Sequence, residues 1–152
     1  MYAVVRLKGT INARPEVRDT LRMLRLTRNN YCTLVEETPH YKGMLQVVKD
    51  YVAFGKVGAD TIEMLLRMRG EVVGGNKLTD QYVKENTLFS SIRELAEKLA
   101  SEEITLKDVP GLRPVFRMHP ARKGLRSIKK PYKIGGDLGE RDDIEELLYR
   151  MR

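Results

Sequence analysis

The chain has 152 residues, 41% of them hydrophobic, with 28 Lys+Arg against 21 Asp+Glu and a formal net charge of +7. That apolar content supports one packed core and excludes a disordered tail. No apolar run approaches the roughly 18 residues of a membrane span, and the first residues lack the basic-then-apolar pattern of a secretory signal, so a cytoplasmic protein without a membrane partner is expected.

Tyr2–Lys8 alternates and is rich in Val, Tyr and Leu, the pattern of a strand. Gly9–Arg14 reads as a turn. Pro15 stands where a first helical residue belongs, since its φ is preset and it has no amide to lose. Val17, Leu21 and Leu24 then mark the apolar face of a helix running to about Leu26. Arg28–Asn30 turns the chain into a second strand, Tyr31–Glu36. Thr38 and Pro39 read as the N-cap and first residue of a second helix, with Met44, Leu45 and Val48 on its apolar face. Tyr51–Val57 fits either more helix or a third strand and is read as strand near its end. Asp60 and Glu63 have capping-box spacing ahead of Ile62, Leu65 and Leu66, and Gly70 ends that helix. The order β-α-β-α-β-α predicts an α+β sandwich, a small sheet with helices on one face.

The rest reads as mostly helical. A loop at Glu71–Lys77 precedes a short helix over Thr79–Asn86. Ser91 and Glu94 form a second capping box, opening a helix faced by Ile92, Leu95, Ala96 and Leu99. Thr105–Val109 adds a turn. Gly111–Lys133 contains Pro114, Pro120, Gly124 and Pro131, too many breakers for a helix, and is expected to be irregular with a short strand at Val115–Met118. A final helix is predicted over Glu140–Met151, with Ile144, Leu147, Leu148 and Met151 on one side.

Catalytic and metal chemistry finds few candidates. Cys32 is the single cysteine, so neither an intramolecular disulfide nor a cysteine-based metal site is open to the chain. It sits mid-strand, where burial is expected, and His40 begins a helix, so a nucleophile–base pair of the two is not favoured. His119 is the other histidine, and neither has a neighbour at metal-ligand spacing. Gly70–Lys77 fails the phosphate-loop pattern, because Asn76 separates the glycines from Lys77 and Leu78 stands where a hydroxyl should hold magnesium. Adjacent acid pairs such as Glu102 and Glu103 point apart and are solvated. No enzyme activity, cofactor or metal is expected.

Charge, in contrast, is unevenly placed. Residues 1–31 hold seven Lys/Arg against two Asp/Glu, residues 109–136 eight against none, and residues 32–108 and 137–152 are each net acidic. A phosphate-backbone binder concentrates its cations in this way. In the first segment Arg14, Arg18, Arg22 and Arg25 lie within about 80° of one another on a helix of 100° per residue, with Arg28 following. The alternative is a solvated face on which Glu16 and Asp19 pair with them. In the second, Arg113, Arg117, Arg122, Lys123, Arg126, Lys129, Lys130 and Lys133 are interleaved with Phe116, His119 and Tyr132, which are expected to stack on exposed bases. Alone in water this stretch is expected to repel itself and stay mobile. Neither segment makes a helix suited to a DNA groove, so folded RNA is the expected partner.

Four stretches carry a resemblance: Val4–Asn12, Arg18–Leu21, Leu24–Asn30 and Thr38–Leu45. In order and spacing they resemble the L-thirty family of large-subunit ribosomal proteins, called L-seven in eukaryotes. The resemblance covers about residues 1–57. Residues 58–152 resemble the longer archaeal form in the Gly55–Gly58 region, the Gly111–Gly124 loop and the Gly135–Gly139 turn, and a start directly at the first strand matches that form better than the eukaryotic one with its basic arm. The resemblance implies a ferredoxin-like β-α-β-α-β core with a three-stranded antiparallel sheet, followed by a helical extension. It implies a structural, non-catalytic constituent of the large ribosomal subunit, monomeric there, bound to ribosomal RNA and touching neighbouring ribosomal proteins. Family RNA contacts map onto Lys8–Arg14 (with Thr10 and Asn12), Arg25–Asn30 (with Asn29), and His40–Met44 (with Tyr41 and Lys42). Contacts from the extension are inferred from charge alone. Gly43, costly inside a helix, serves either close approach of an RNA backbone or packing against the sheet. A non-ribosomal RNA-binding regulator and a small enzyme with a closed polar pocket are the rival readings.

Overall fold

The computed structural model describes all 152 residues. Three five-residue strands form its centre: β1 (Tyr2–Arg6), β2 (Tyr31–Val35) and β3 (Val52–Lys56). β1 lies in the middle, antiparallel to both, with Val4 opposite Thr33 on one side and Phe54 on the other. The expected three-stranded antiparallel core is therefore present. The extension widens it at both edges: β4 (Phe116–Arg117) pairs antiparallel with β2, and β5 (Gly139–Glu140) pairs parallel with β3. The sheet is thus mixed, in the order β4-β2-β1-β3-β5. β4 falls within the short strand expected at Val115–Met118, whereas β5, only two residues long, shows too little alternation to be read from sequence.

Helices cover both faces, not one. α1 (Pro15–Met23) and α2 (Pro39–Val48) lie on the first face, where Val17, Leu21, Leu45 and Val48 pack on Tyr2, Val4, Val52 and Phe54. α3 (Ala59–Arg69), α4 (Asp80–Asn86), α5 (Ile92–Ala100) and α6 (Ile144–Met151) belong to the second. There Ala3, Val5, Cys32, Leu34 and Ala53 meet Ile62, Leu65, Leu95, Leu99 and Leu147. The one-face expectation missed that Tyr2–Val5 is apolar on alternate sides, the mark of a strand buried twice. Gly55 in β3 permits the second layer to close, because a Cβ there would stand 2.8 Å from Cγ2 of Ile144.

Three helix boundaries differ from the sequence reading. α1 stops at Met23 because Arg25 takes a left-handed φ of 63°. Gly58, not Asp60, is the N-cap of α3; its N–H donates to Glu145 Oε1 at 2.9 Å, and Asp60 instead pairs with Arg93 of α5. α6 begins at Ile144, because Glu140 is paired to β3 and the Arg141 N–H donates to the Phe54 carbonyl at 2.9 Å. Thr38 caps α2 as expected, its hydroxyl accepting from the Tyr41 N–H at 3.3 Å. Ser91 accepts from the Glu94 N–H, but the Glu94 carboxylate reaches back to Ser90, one residue early for the capping box.

The strand directions gather particular loops. β1 and β4 end, and β2, β3 and β5 begin, at the same end of the sheet. The β1–α1 loop, the turn before β2, the segment after β4 and the segment before β5 therefore converge there.

Candidate nucleic-acid interface

That end of the sheet collects most of the cations singled out in the sequence. Lys8, Thr10, Asn12 and Arg14 come from the β1–α1 loop, and Arg28, Asn29 and Asn30 from the turn into β2. Lys129, Lys130 and Lys133 come from the segment before β5. The pieces are tied by main-chain bonds: the Asn30 N–H donates to the Arg6 carbonyl at 2.8 Å, and the Met118 N–H to the Asn30 carbonyl at 3.0 Å. Arg18 and Arg22 extend the surface along the exposed edge of α1.

The side chain that organises this end is Arg6, which sequence reasoning passed over. It is buried, 7% exposed, on the α1–α2 face of β1, and no carboxylate lies within ion-pair distance. Its guanidinium donates to the Lys8 carbonyl at 3.0 Å, the Leu26 carbonyl at 3.1 Å and the Thr10 hydroxyl at 3.3 Å. Burial lowers its pKa, though an arginine stays charged at any ordinary pH. One fixed cation thus holds the β1–α1 loop and the turn beyond α1 in mutual register. The signal was available: Arg6 falls in phase with Tyr2 and Val4, on a face otherwise wholly apolar.

Beyond α1 the backbone closes in a Schellman motif. The Leu26 N–H donates to the Leu21 carbonyl and the Arg25 N–H to the Arg22 carbonyl, both at 2.9 Å. Arg25 occupies the left-handed position that glycine prefers, and Leu26 is fully buried behind it. Arg14 is the N-cap and Arg25 lies past the C-cap, so only Arg18 and Arg22 of the predicted arginine edge are inside the helix. Arg22 pairs with Asp19, as the solvated-face alternative required. Arg14, Arg18, Arg25 and Arg28 form no ion pair.

The basic extension is hydrogen-bonded to the rest of the fold. Buried Asp137 accepts from the Ser127 N–H at 3.0 Å and from Arg141 Nη1 at 3.0 Å. Arg141 also reaches Asp143, at 2.7 Å, which holds the Asp143 carboxyl below its ordinary range. Main-chain bonds from His119 to Met151 (2.8 Å) and from Arg122 to Arg150 (3.0 Å) fasten the segment to α6. Arg122, Lys123, Lys129, Lys130 and Lys133 are exposed and without ion pairs. Arg113 and Arg117 share Glu71, at 3.6 and 3.9 Å, and Arg126 lies 3.9 Å from Asp137.

Two of the residues expected to stack have their rings engaged within the protein. Phe116 is fully buried in the second core. The guanidinium groups of Arg126 and Arg141 stand 5.0 and 4.8 Å from the Tyr132 ring centroid. His119 is exposed. His40, Tyr41, Lys42, Gly43 and Met44 begin α2 at the opposite end of the sheet, where Arg25 and Tyr41 line one shallow cavity. A Cβ on Gly43 would meet nothing within 4 Å, so packing against the sheet does not require that glycine.

The residues once weighed for catalysis are separated. Cys32 is buried beneath the second helical layer and its thiol is pushed up to about 12 by burial, while His40 is exposed on the first-layer helix α2. Gly70–Lys77 forms a small hairpin in which Glu71 pairs with Lys77. No helix is long and apolar enough to cross a membrane.

The family model described as "Ribosomal protein L30p/L7e" matches residues 2–52. Over its whole length the chain is 54% identical to the large ribosomal subunit protein uL30 of Methanocella arvoryzae, 53% to that of Methanothrix thermoacetophila and 48% to that of Archaeoglobus fulgidus, each covered completely. The chain belongs to the uL30 family. The family match of residues 2–52 ends at the start of β3. The full-length uL30 matches carry the resemblance through α3–α6 and the basic extension as well. This membership sets aside both rivals, the non-ribosomal regulator and the small enzyme.

Proposed function

We propose that this chain grips folded ribosomal RNA with the cation-lined end of its sheet and the exposed edge of α1. As a uL30-family protein it is a non-catalytic structural constituent of the large ribosomal subunit, and the cytoplasmic ribosome is its place of work. The observation that supports the grip is convergence: two basic segments some hundred residues apart in sequence meet at one end of the sheet, most of their cations without acidic partners. Arg6 and Asp137 hold the backbone beneath those cations, so little ordering entropy is lost when RNA binds. The α2 start, with Lys42 and Gly43, supplies a second point of contact at the far end. Ribosomal RNA, neighbouring ribosomal proteins and a single copy per particle complete this reading; no DNA, cofactor or metal enters it.

The test replaces Arg122, Lys123, Lys129 and Lys130 together by Gln, leaving out Arg126 because it is tied to Asp137 and Tyr132. Thermal melting is expected to be unchanged. Affinity for a ribosomal RNA fragment is expected to fall, and the slope of log K against log salt to flatten by roughly 0.9 for each phosphate that the variant no longer neutralises. Unchanged affinity and slope would remove the extension from the interface.

A further inference from the structure

Between the β1–α1 loop, the end of α2 and the segment before β5 lies an open cleft of about 740 Å³. That size falls in the range of roughly 300–1,000 Å³ typical of sites for small organic ligands. It is built jointly by both parts of the chain. Lys8 and Arg14 come from the first basic segment and Lys129 from the second; Gln46, Asp50 and Tyr51 lie between them. The Lys8 ammonium sits 5.4 Å from the centroid of the Tyr51 ring. Tyr51 is half-buried, and its carbonyl accepts from the N–H groups of Leu7 and Lys8, at 3.0 and 3.2 Å, so the residue is anchored to β1.

We infer that this cleft receives a nucleotide extruded from the bound RNA, an inference that rests on the RNA-binding reading above. An RNA helix offers its neighbours phosphates and 2′-hydroxyls, whereas a splayed-out base needs an aromatic face and polar groups for its edge. The cleft holds both. The base stacks on Tyr51, displacing Lys8 from the ring. The freed Lys8, with Arg14 and Lys129, takes the flanking phosphates. Asp50 and the Gln46 amide face the base edge, and a carboxylate there accepts from an exocyclic amine such as N4 of cytosine. Glu16 also lines the cleft. Two carboxylates make it a poor trap for bare phosphate and favour a base that donates hydrogen bonds. Tyr51 takes the role expected of Phe116, whose ring is buried in the core, and of Tyr132, which has two guanidinium groups near its ring against the single displaceable ammonium at Tyr51.

The experiment uses the full chain with two probes, short single-stranded oligoribonucleotides of C or U and a short blunt RNA duplex. Tyr51→Ala is expected to weaken binding of oligo-C roughly 5- to 100-fold, the range of one base–aromatic stack, with duplex binding unchanged. Tyr51→Phe is expected to bind as the parent does, and Asp50→Asn to narrow the preference for C over U. Because Tyr51→Ala risks the fold, melting curves accompany it, and the unaltered protein is photo-crosslinked to an oligomer carrying a thiolated base. Crosslinks at Tyr51, Lys8 or Lys129 support the inference; crosslinks confined to other surfaces overturn it. Equal loss for single strand and duplex in Tyr51→Ala also overturns it. If the duplex binds and single strands do not, the cleft is no nucleotide site while the RNA-binding reading stands. If neither probe binds, that reading itself fails.

Discussion

Replacing Arg25 by glycine should make the protein more stable and worse at binding RNA. Arg25 holds a φ of 63° as the residue closing the Schellman motif behind α1. An L-residue there costs about 1–2 kcal/mol from the clash of Cβ with the neighbouring carbonyl. Glycine avoids that clash but loses about 0.4–1 kcal/mol more in unfolded-chain entropy. The net expectation is a gain of about 0.5–1 kcal/mol. For a chain of this size that raises Tm by roughly 1–4 °C. The exposed guanidinium has no ion pair to forfeit, so no compensating loss is expected on the folded side. Binding should move the other way. Removing one phosphate contact lowers affinity for a ribosomal RNA fragment several-fold and flattens the salt slope by roughly 0.7–0.9. Arg25→Asn is the control, since asparagine tolerates the left-handed region and lacks the charge; it should match the glycine variant in binding. A melting curve and a filter-binding titration at several salt concentrations measure both. A lower Tm would refute the backbone-strain reasoning, and an unchanged salt slope would remove Arg25 from the phosphate surface.

Arg6→Lys leaves at least two of the three acceptors around that side chain unfilled, so urea unfolding should show a loss of about 2–4 kcal/mol; a loss below about 1 kcal/mol would mean that Arg6 does not organise the loop. Asp137→Ala strips buried Arg141 of one carboxylate and Ser127 of its acceptor, for an expected cost of about 3 kcal/mol, the low end for a broken buried pair because Asp143 remains. Cys32, with its thiol pushed up to about 12, should resist an aromatic disulfide reagent at mildly alkaline pH in the folded protein and react at once in guanidinium; rapid labelling of the native state would contradict its burial. Hydrogen bonds from Arg141 to Asp143 and from Arg67 and Arg93 to Glu63 hold those carboxyls low, as the Ile92 amide does for Asp80. Depressed carboxyls stabilise the fold above their unfolded values, about 4, and lose that contribution as pH falls through the folded ones. Tm should therefore decline only below about pH 4, and a decline beginning near neutrality would point to a different titrating group.

Much of the fold was visible because its signals are local. Pro15 and Pro39 at first helical positions, the Thr38 and Ser91 caps, and the apolar stripes of α5 and α6 each act within a few residues. What escaped notice is decided at a distance. Whether α3 joins α1 and α2 or takes the opposite face depends on Ala3 and Val5 needing cover of their own. The start of α6 depends on Arg141 meeting Asp137 and Asp143, and β5 exists only because β3 offers it an edge. The interface divides in the same way. Charge clustering marked the exposed cations, since phosphate binders need charge whatever their fold. It could not mark Arg6, which contributes hydrogen bonds from inside, nor separate Tyr51 from Phe116 and Tyr132. An aromatic among cations reads alike in sequence whether its ring lines a cleft, is buried in the core or lies beside guanidinium groups.

Net charge is a poor guide to why this surface works. The acidic middle of the chain spends its carboxylates internally: Glu63 and Asp80 hold Arg67, while Asp60, Glu63 and Glu97 hold Arg93. These pairs lie on α3–α5, in the helical layer opposite α1 and α2. The network holds four carboxylates against two guanidinium groups, so it stays net acidic, and its field is screened beyond a Debye length of about 8 Å at physiological salt. The basic segments hold only Glu16 and Asp19, and buried Asp137, just past the second segment, is shared with Arg141. Their cations therefore keep a positive field while the rest of the surface is net acidic. In the proposed grip, an RNA approaching from solution meets a molecule that is polar in charge, with one end attractive and the α3–α5 layer net acidic. On that reading orientation is selected before contact, and the hydrogen-bonded backbone around Lys8, Arg28 and Lys129 decides which contacts follow.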